Sequence, residues 1–216
     1  MRVGIDSSEK DYSGIVVGRK AQMDLLYKDL HEIFRSVGGH GNMHWQELSP
    51  SQRKLFHKRA FEKIKDSGVS FILLKHKRPG RSSKKEFYMD AIPSHIADAL
   101  HPFIKEHKGD VQIHVGNDYN VKDVHNASNV FLKKIVDELG VKLTGKRTKA
   151  FQKKMNEGIE VKNVNGENLR IWGKVADAFS NQVQLSDVLL GLYKQDREDR
   201  RVKKKRYMEF TEHKKI

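Results

Sequence analysis

Three features of the chain predict an α/β fold with a mixed central sheet flanked by helices. The first is a pair of short apolar segments at the start, Arg2–Asp6 and Ser13–Gly18, close enough in sequence to form an antiparallel hairpin. The second is Val69–Leu74, an almost continuous apolar run of the kind found in a strand covered on both faces. The third is the alternation of such runs with longer segments whose apolar residues recur every three or four positions.

The elements follow in order. In the first strand Val3 and Ile5 share one face, and Arg2, Gly4 and Asp6 the other. From Arg19 to Val37 the apolar positions Met23, Leu26, Tyr27, Leu30, Ile33, Phe34 and Val37 predict an amphipathic helix, which Gly38-Gly39 closes. Ser49-Pro50 supplies an N-cap and a first-turn proline for a second helix to about Asp66, closed by Ser67-Gly68. After the Val69–Leu74 strand, Glu86–Lys108 reads as helical with breaks near Pro93 and Pro102. Asp110–Asp118 alternates as a strand should. A helix lies within Asp123–Leu139 and ends at Gly140, with Val141–Thr144 as a candidate strand beyond it. Lys146–Asn168 is basic and weakly patterned, with Ile159–Val164 as its candidate strand. A buried helix is expected over Val175–Tyr193, then a charged tail. The predicted organisation is one domain over 1–195 and a basic C-terminal tail over 196–216.

Composition narrows the function. The 216 residues carry 42 Lys+Arg against 28 Asp+Glu, a formal net charge of +14, so a polyanionic partner is expected, nucleic acid (DNA or RNA) ahead of an anionic membrane surface. The absence of cysteine excludes disulfides, Cys-type zinc sites and thiol catalysis, and fits an intracellular, cytoplasmic protein. No apolar run reaches membrane-spanning length, and no signal peptide is expected. His31-Glu32 is followed by Arg35 where a zinc-protease motif needs His, and Gly38-Gly39-His40-Gly41 lacks the Lys-Ser/Thr of a Walker phosphate loop.

The chemistry concentrates in three acids. Asp6 and Asp118 each close a strand, and each follows by two residues a glycine on the same strand face, Gly4 and Gly116. The last helix is apolar around most of its circumference, apart from a stripe of Asp177, Ser180, Gln184, Asp187, Gly191 and Lys194. Glycine weakens a strand interior unless something must approach closely, so the pattern predicts a helix lying tight over two adjacent strands, with Asp187 between the strand-end carboxylates. Clustered carboxylates repel unless a cation sits among them. Their hard oxygens suit Mg²⁺ or Mn²⁺, and two such ions serve phosphodiester hydrolysis. A basic chain with an acidic pocket therefore reads as a metal-dependent nuclease. The alternative is a nucleic-acid-binding protein that keeps the fold without the chemistry.

Gln184-Leu185-Ser186-Asp187, with Gly191 four residues on, resembles the Gln-Leu-Ala-Asp-x-x-x-Gly signature of the ribonuclease H-like domain-of-unknown-function family numbered thirty-eight hundred. Ile5-Asp6-Ser7-Ser8, Val16-Val17-Gly18 and His44-Trp45-Gln46-Glu47-Leu48 resemble that family's segments in placement, with Ser7 where Glu is usual and Ser186 where Ala is usual. The resemblance implies a ribonuclease H-like fold in which Asp6 bridges two metals, Asp118 binds one of them and Asp187 completes the site. It also implies a fourth acid from the segment after the first long helix. Glu47 is the choice, and Glu32 the alternative on a face that reads as solvated. Gln184 is expected to support Asp187, and His44 to assist proton transfer beside Glu47 together with His40. The basic loop offers Lys75, Lys77, Arg78, Arg81, Lys84 and Lys85 for phosphate contacts.

Overall fold

The computed structural model describes residues 1–8, 12–76, 87–116, 126–146, 158–176, 180–203 and 214–215. The N-terminal hairpin forms as expected, from β1 (Arg2–Ser8) and β2 (Tyr12–Gly18) paired antiparallel, with Asp6 opposite Gly14. Helix α1 (Lys20–Ser36) buries Met23, Leu26, Leu30 and Phe34, the stripe its periodicity predicts, and ends where Gly38 takes φ 98°. A single 3₁₀ turn, Trp45–Glu47, precedes α2 (Pro50–Lys65). Ser49 caps α2 reciprocally: the Gln52 N–H donates to its hydroxyl (3.4 Å), and its own N–H donates to Gln52 Oε1 (2.8 Å). Strand β3 (Ser70–Lys75) then pairs antiparallel with β2. A π-helical turn, Phe87–Ala91, leads into α3 (Ile92–Ile104), where Pro93 lies in the first turn and Pro102 is carried inside the helix.

Strand β4 (Gly109–Val115) pairs parallel with β1, and β6 (Asn168–Val175) parallel with β4. Between them come α4 (Ala127–Thr144) and the edge strand β5 (Ile159–Lys162), antiparallel to β6. Helix α5 (Asn181–Lys203) follows, and the two-residue β7 (Lys214–Lys215) pairs with the end of β3. The sheet order is β5-β6-β4-β1-β2-β3-β7: six strands of regular length, mixed parallel and antiparallel, flanked by five helices. This is the ribonuclease H-like α/β architecture.

Each face of the sheet has its own core. On one face Ile5, Ile15, Ile113 and Val115 pack with Leu100, Phe131 and Ile135 from α3 and α4. On the other face Val16 and Phe71 pack with Met23, Phe34, Phe56, Leu185 and Leu189 from α1, α2 and α5. β3 contributes to both, as its continuous apolar run predicted. No described helix is long and apolar enough to cross a membrane.

Three expectations are corrected. Val141–Thr144 is the last turn of α4 rather than a strand, because the helix runs through Gly140 and stops only at Gly145, which takes φ 68°. Val175 closes β6 instead of opening the last helix, and α5 begins at Asn181. β6 itself was missed, although Leu169, Ile171 and Gly173 are buried in strict alternation with exposed Arg170 and Lys174. The backbone of α5 continues to Lys203, across the predicted boundary at 195.

Gly4 is where the sheet and α5 meet most closely: a Cβ there would overlap the backbone carbonyl of Gln182. We predict that Gly4→Ala costs about 1–3 kcal/mol through overpacking. Urea unfolding reads this as a lower midpoint at unchanged m-value.

Candidate active site

The site is built where α5 crosses the carboxyl-terminal end of β1. Asp6 is only 5% exposed. It lies on the same strand face as Gly4, toward α5, and pairs with Gly14 on β2. On its other side the Gly116 N–H donates to the Ile5 carbonyl (2.9 Å), which carries β4's end alongside β1. A Cβ at Gly116 would come within 2.7 Å of Asp6 Oδ1 and 3.3 Å of Val183 Cγ1. Glycine at 116 therefore leaves room for the Asp6 carboxylate beside the first turn of α5. The close approach expected of Gly4 and Gly116 is present at both.

Helix α5 is tied down by its polar residues. The Ser186 hydroxyl donates to the Gly14 carbonyl at 2.7 Å, with the Gly4 carbonyl at 3.3 Å, so it bridges the two hairpin strands. A Cβ at Gly14 would press on Leu190 Cγ at 2.8 Å. The stripe of Gln184, Asp187 and Gly191 is a packed seam against α1 and the segment 43–48, not a solvated face. Gln184 is 2% exposed, and its Oε1 accepts from the Tyr27 hydroxyl (3.1 Å) and the Met43 N–H (2.8 Å). Asp187 Oδ2 accepts the Trp45 N–H (2.9 Å), with His44 Nδ1 at 3.6 Å. Gly191 lies against the Trp45 ring, where any Cβ would overlap the indole.

Sequence reasoning did not find the brace on this seam. Arg53, on α2, donates from Nε to the Trp45 carbonyl (3.2 Å) and from Nη2 to the Gln46 carbonyl (3.3 Å), and its guanidinium stands 5.7 Å from the Trp45 ring centre. These contacts fix the 3₁₀ turn that presents its N–H to Asp187. Arg53 looks like any of the 42 basic residues in the sequence, and nothing in its spacing marks it.

The remaining predicted residues divide as follows. Glu47 closes the turn that is bonded to Asp187, but its side chain is exposed; Glu32 and His40 are exposed as well. Lys75 ends β3 with its ammonium 5.9 Å from the Tyr12 ring centre. Asp118, Asp177, Lys77, Arg78, Arg81, Lys84 and Lys85 lie outside the described residues. Among the described residues no three His, Asp or Glu side chains come close enough together to hold a metal ion. Asp6, Asp187 and Asp118, the last outside the described residues, are the acids that the sequence offers for such a set. All three are hard carboxylate donors, which fit Mg²⁺ or Mn²⁺ in kind.

Two buried imidazoles stand nearby. His114 Nδ1 is 2.7 Å from Ser180 Oγ, and the Ser180 hydroxyl donates onward to Gln182 Oε1 (3.0 Å), which puts the ring proton on Nδ1. Burial, reinforced by the charges of Lys174 and Arg2, lowers the His114 pKa to about 4. His76 Nε2 is 2.9 Å from Ser13 Oγ, and burial, reinforced by His95, lowers its pKa to about 4 as well.

No family model matches the chain, and no curated protein matches it either. Sheet order and flanking helices define an α/β chain of the ribonuclease H-like class, with Asp6 buried at the end of β1 and Asp187 on α5.

Two measurements check this geometry. Gln184→Leu strands the buried Met43 N–H and is expected to cost about 1–3 kcal/mol by urea unfolding. The histidines give a pH signature. Their folded pKa of about 4 lies below the ordinary 6.5, so below that value the unfolded chain binds more protons than the folded one. Stability is expected to be complete above pH 6.5 and to fall as pH drops toward 4. His76→Gln should flatten that slope by up to about one proton.

Proposed function

We propose that this chain is a metal-dependent nuclease that hydrolyses nucleic-acid phosphodiester bonds with two divalent cations, Mg²⁺ or Mn²⁺. The observation that carries the reading is the convergence of Asp6 and α5. Asp6 Oδ1 and Val183 Cγ1 flank the same point above Gly116. Asp187 follows Val183 by four residues, on the same side of the helix. A carboxylate 5% exposed at a strand end, beside the helix that carries a second carboxylate, supplies hard oxygen donors of the kind a divalent cation takes.

Asp6, Asp118 and Asp187 are the proposed ligands, with Glu47 as the fourth. When bound, the ions supply an activated water and stabilise the leaving oxygen. The protein's own residues prepare the site. The Trp45 N–H holds one oxygen of Asp187 and sets the direction of the other, while Gln184 fixes the segment that presents Trp45. His44, 3.6 Å from Asp187, is placed to carry a proton at the rim of the site. The net charge of +14 suits a polyanionic substrate, and the resemblance of Gln184–Gly191 to the family signature points the same way.

Asp6→Asn and Asp187→Asn are each expected to lower Mg²⁺- or Mn²⁺-dependent cleavage of labelled DNA or RNA by about 10³-fold, the loss of several kcal/mol of metal-borne stabilisation. Binding in EDTA should be largely unchanged. Cleavage that persists in both variants would overturn the mechanism. A wild-type chain that binds but never cleaves would favour the non-catalytic alternative.

A further inference from the structure

The start of α5 is held by a residue that the proposed chemistry does not use. His114 stands on β4 in register with Gly4 of β1, the glycine on which α5 rests. Ser180 is the residue just before the helix, and its carbonyl accepts the Gln184 N–H (2.9 Å), the first bond of α5. An N-cap serine ordinarily turns its hydroxyl to a backbone N–H of the first turn. The Ser180 hydroxyl is turned to the sheet instead: it accepts from His114 Nδ1 (2.7 Å) and donates to Gln182 Oε1 (3.0 Å). Further contacts follow at once along the helix. The Gln182 backbone lies against Gly4, and Val183 lies against Gly116 beside Asp6.

Burial alone does not account for a histidine here. His114 is 7% exposed, and its Nε2 has no partner among the described residues. A buried ring nitrogen left unbonded is costly, and an apolar side chain would fill the place without that cost. What the imidazole adds is the Nδ1–H that reaches Ser180. Burial, reinforced by Lys174 and Arg2, holds the pKa at about 4, so at neutral pH the ring is uncharged and keeps this single proton. The register of α5 matters because of helix geometry. A shift of one residue moves a helix about 1.5 Å along its axis and turns it about 100°. Either change carries Asp187, two turns after Ser180, off the Trp45 N–H.

We propose that His114 is a positioning residue for Asp187: from β4 it fixes the N-cap of α5, and with it the register in which the helix presents that carboxylate to the Trp45 turn. The Ser186 hydroxyl on Gly14 is the second fixed point, so the helix is held on β4 and again on the hairpin. The clamp rests on these hydrogen bonds. Its consequence for a metal site rests on the nuclease reading.

The test is amide hydrogen exchange by NMR in EDTA at two N–H groups, Gln184, which is bonded to Ser180, and Trp45, which is bonded to Asp187. His114→Leu is expected to speed both about 10-fold, while amides of α4 keep their rates. Asparagine places an N–H where Nδ1 stands, whereas glutamine reaches to the Nε2 position. His114→Asn should therefore restore both rates to within about threefold of wild type, and His114→Gln should not. If the leucine variant does not fold, the contrast between asparagine and glutamine decides the matter. Unchanged exchange in His114→Leu, or no difference between the asparagine and glutamine variants, would overturn the clamp. Mn²⁺ affinity, followed by electron paramagnetic resonance of the free ion, should fall about 10-fold in His114→Leu and return in His114→Asn. Faster exchange with unchanged Mn²⁺ affinity would contradict the role at the site. A wild-type chain that binds no Mn²⁺ would defeat the nuclease reading, and the exchange rates would still decide the clamp.

Discussion

The structure depends on the close approach of one helix to one hairpin. Side chains on both sides would normally hold a helix about 10 Å from a sheet. Here Gly4 and Gly14 remove that spacer on β1 and β2, and the Ser186 hydroxyl reaches the Gly14 carbonyl at 2.7 Å. The approach brings the first turns of α5 down to the level of the Asp6 carboxylate. Ser186 stands where the resembling family usually has alanine. It is 0% exposed, and the bond to strand backbone satisfies a hydroxyl that would otherwise be costly to bury.

A second constraint acts on the adjoining flank of the helix. Segment 43–48 wraps α5 and offers it two backbone N–H groups, Met43 to Gln184 and Trp45 to Asp187. Arg53 secures the segment from α2, and Gly191 makes space for the indole. Gln184, Asp187 and Gly191 thus share one purpose despite their different chemistry: each accommodates the same turn. The spacing of the Gln-Leu-Ser-Asp motif and its distant glycine follows from helix periodicity, since positions 184, 187 and 191 fall on one side of α5.

Much of this was legible in the sequence because it is periodic or steric. The hairpin, α1, the Ser49-Pro50 start of α2 and the doubly covered β3 follow from local pattern and capping chemistry. The strand glycines announced close approach, and they deliver it. What escaped depends on partners distant in sequence. Arg53 gains meaning only when α2 packs beside the Trp45 turn. The polar stripe of α5 singles out Asp187 and Gly191 in the sequence, but the segment 43–48 that packs on it is found only in the fold. β6 was lost for a different reason: exposed Arg170 and Lys174 dilute an alternation that Leu169, Ile171 and Gly173 keep intact. Val141–Thr144 carries β-branched residues yet stays helical, because α4 packs its buried face without a break through Leu139 and Gly140.

The account turns on Asp6 and Asp187 belonging to one cation site under α5. A crystal soaked in Mn²⁺ and measured at the manganese edge tests this most directly. The account predicts anomalous density among Asp6, Asp118 and Asp187, lost in Asp6→Asn crystals. Density absent from that place in the wild-type protein at saturating Mn²⁺, or found there unchanged in Asp6→Asn, would contradict it.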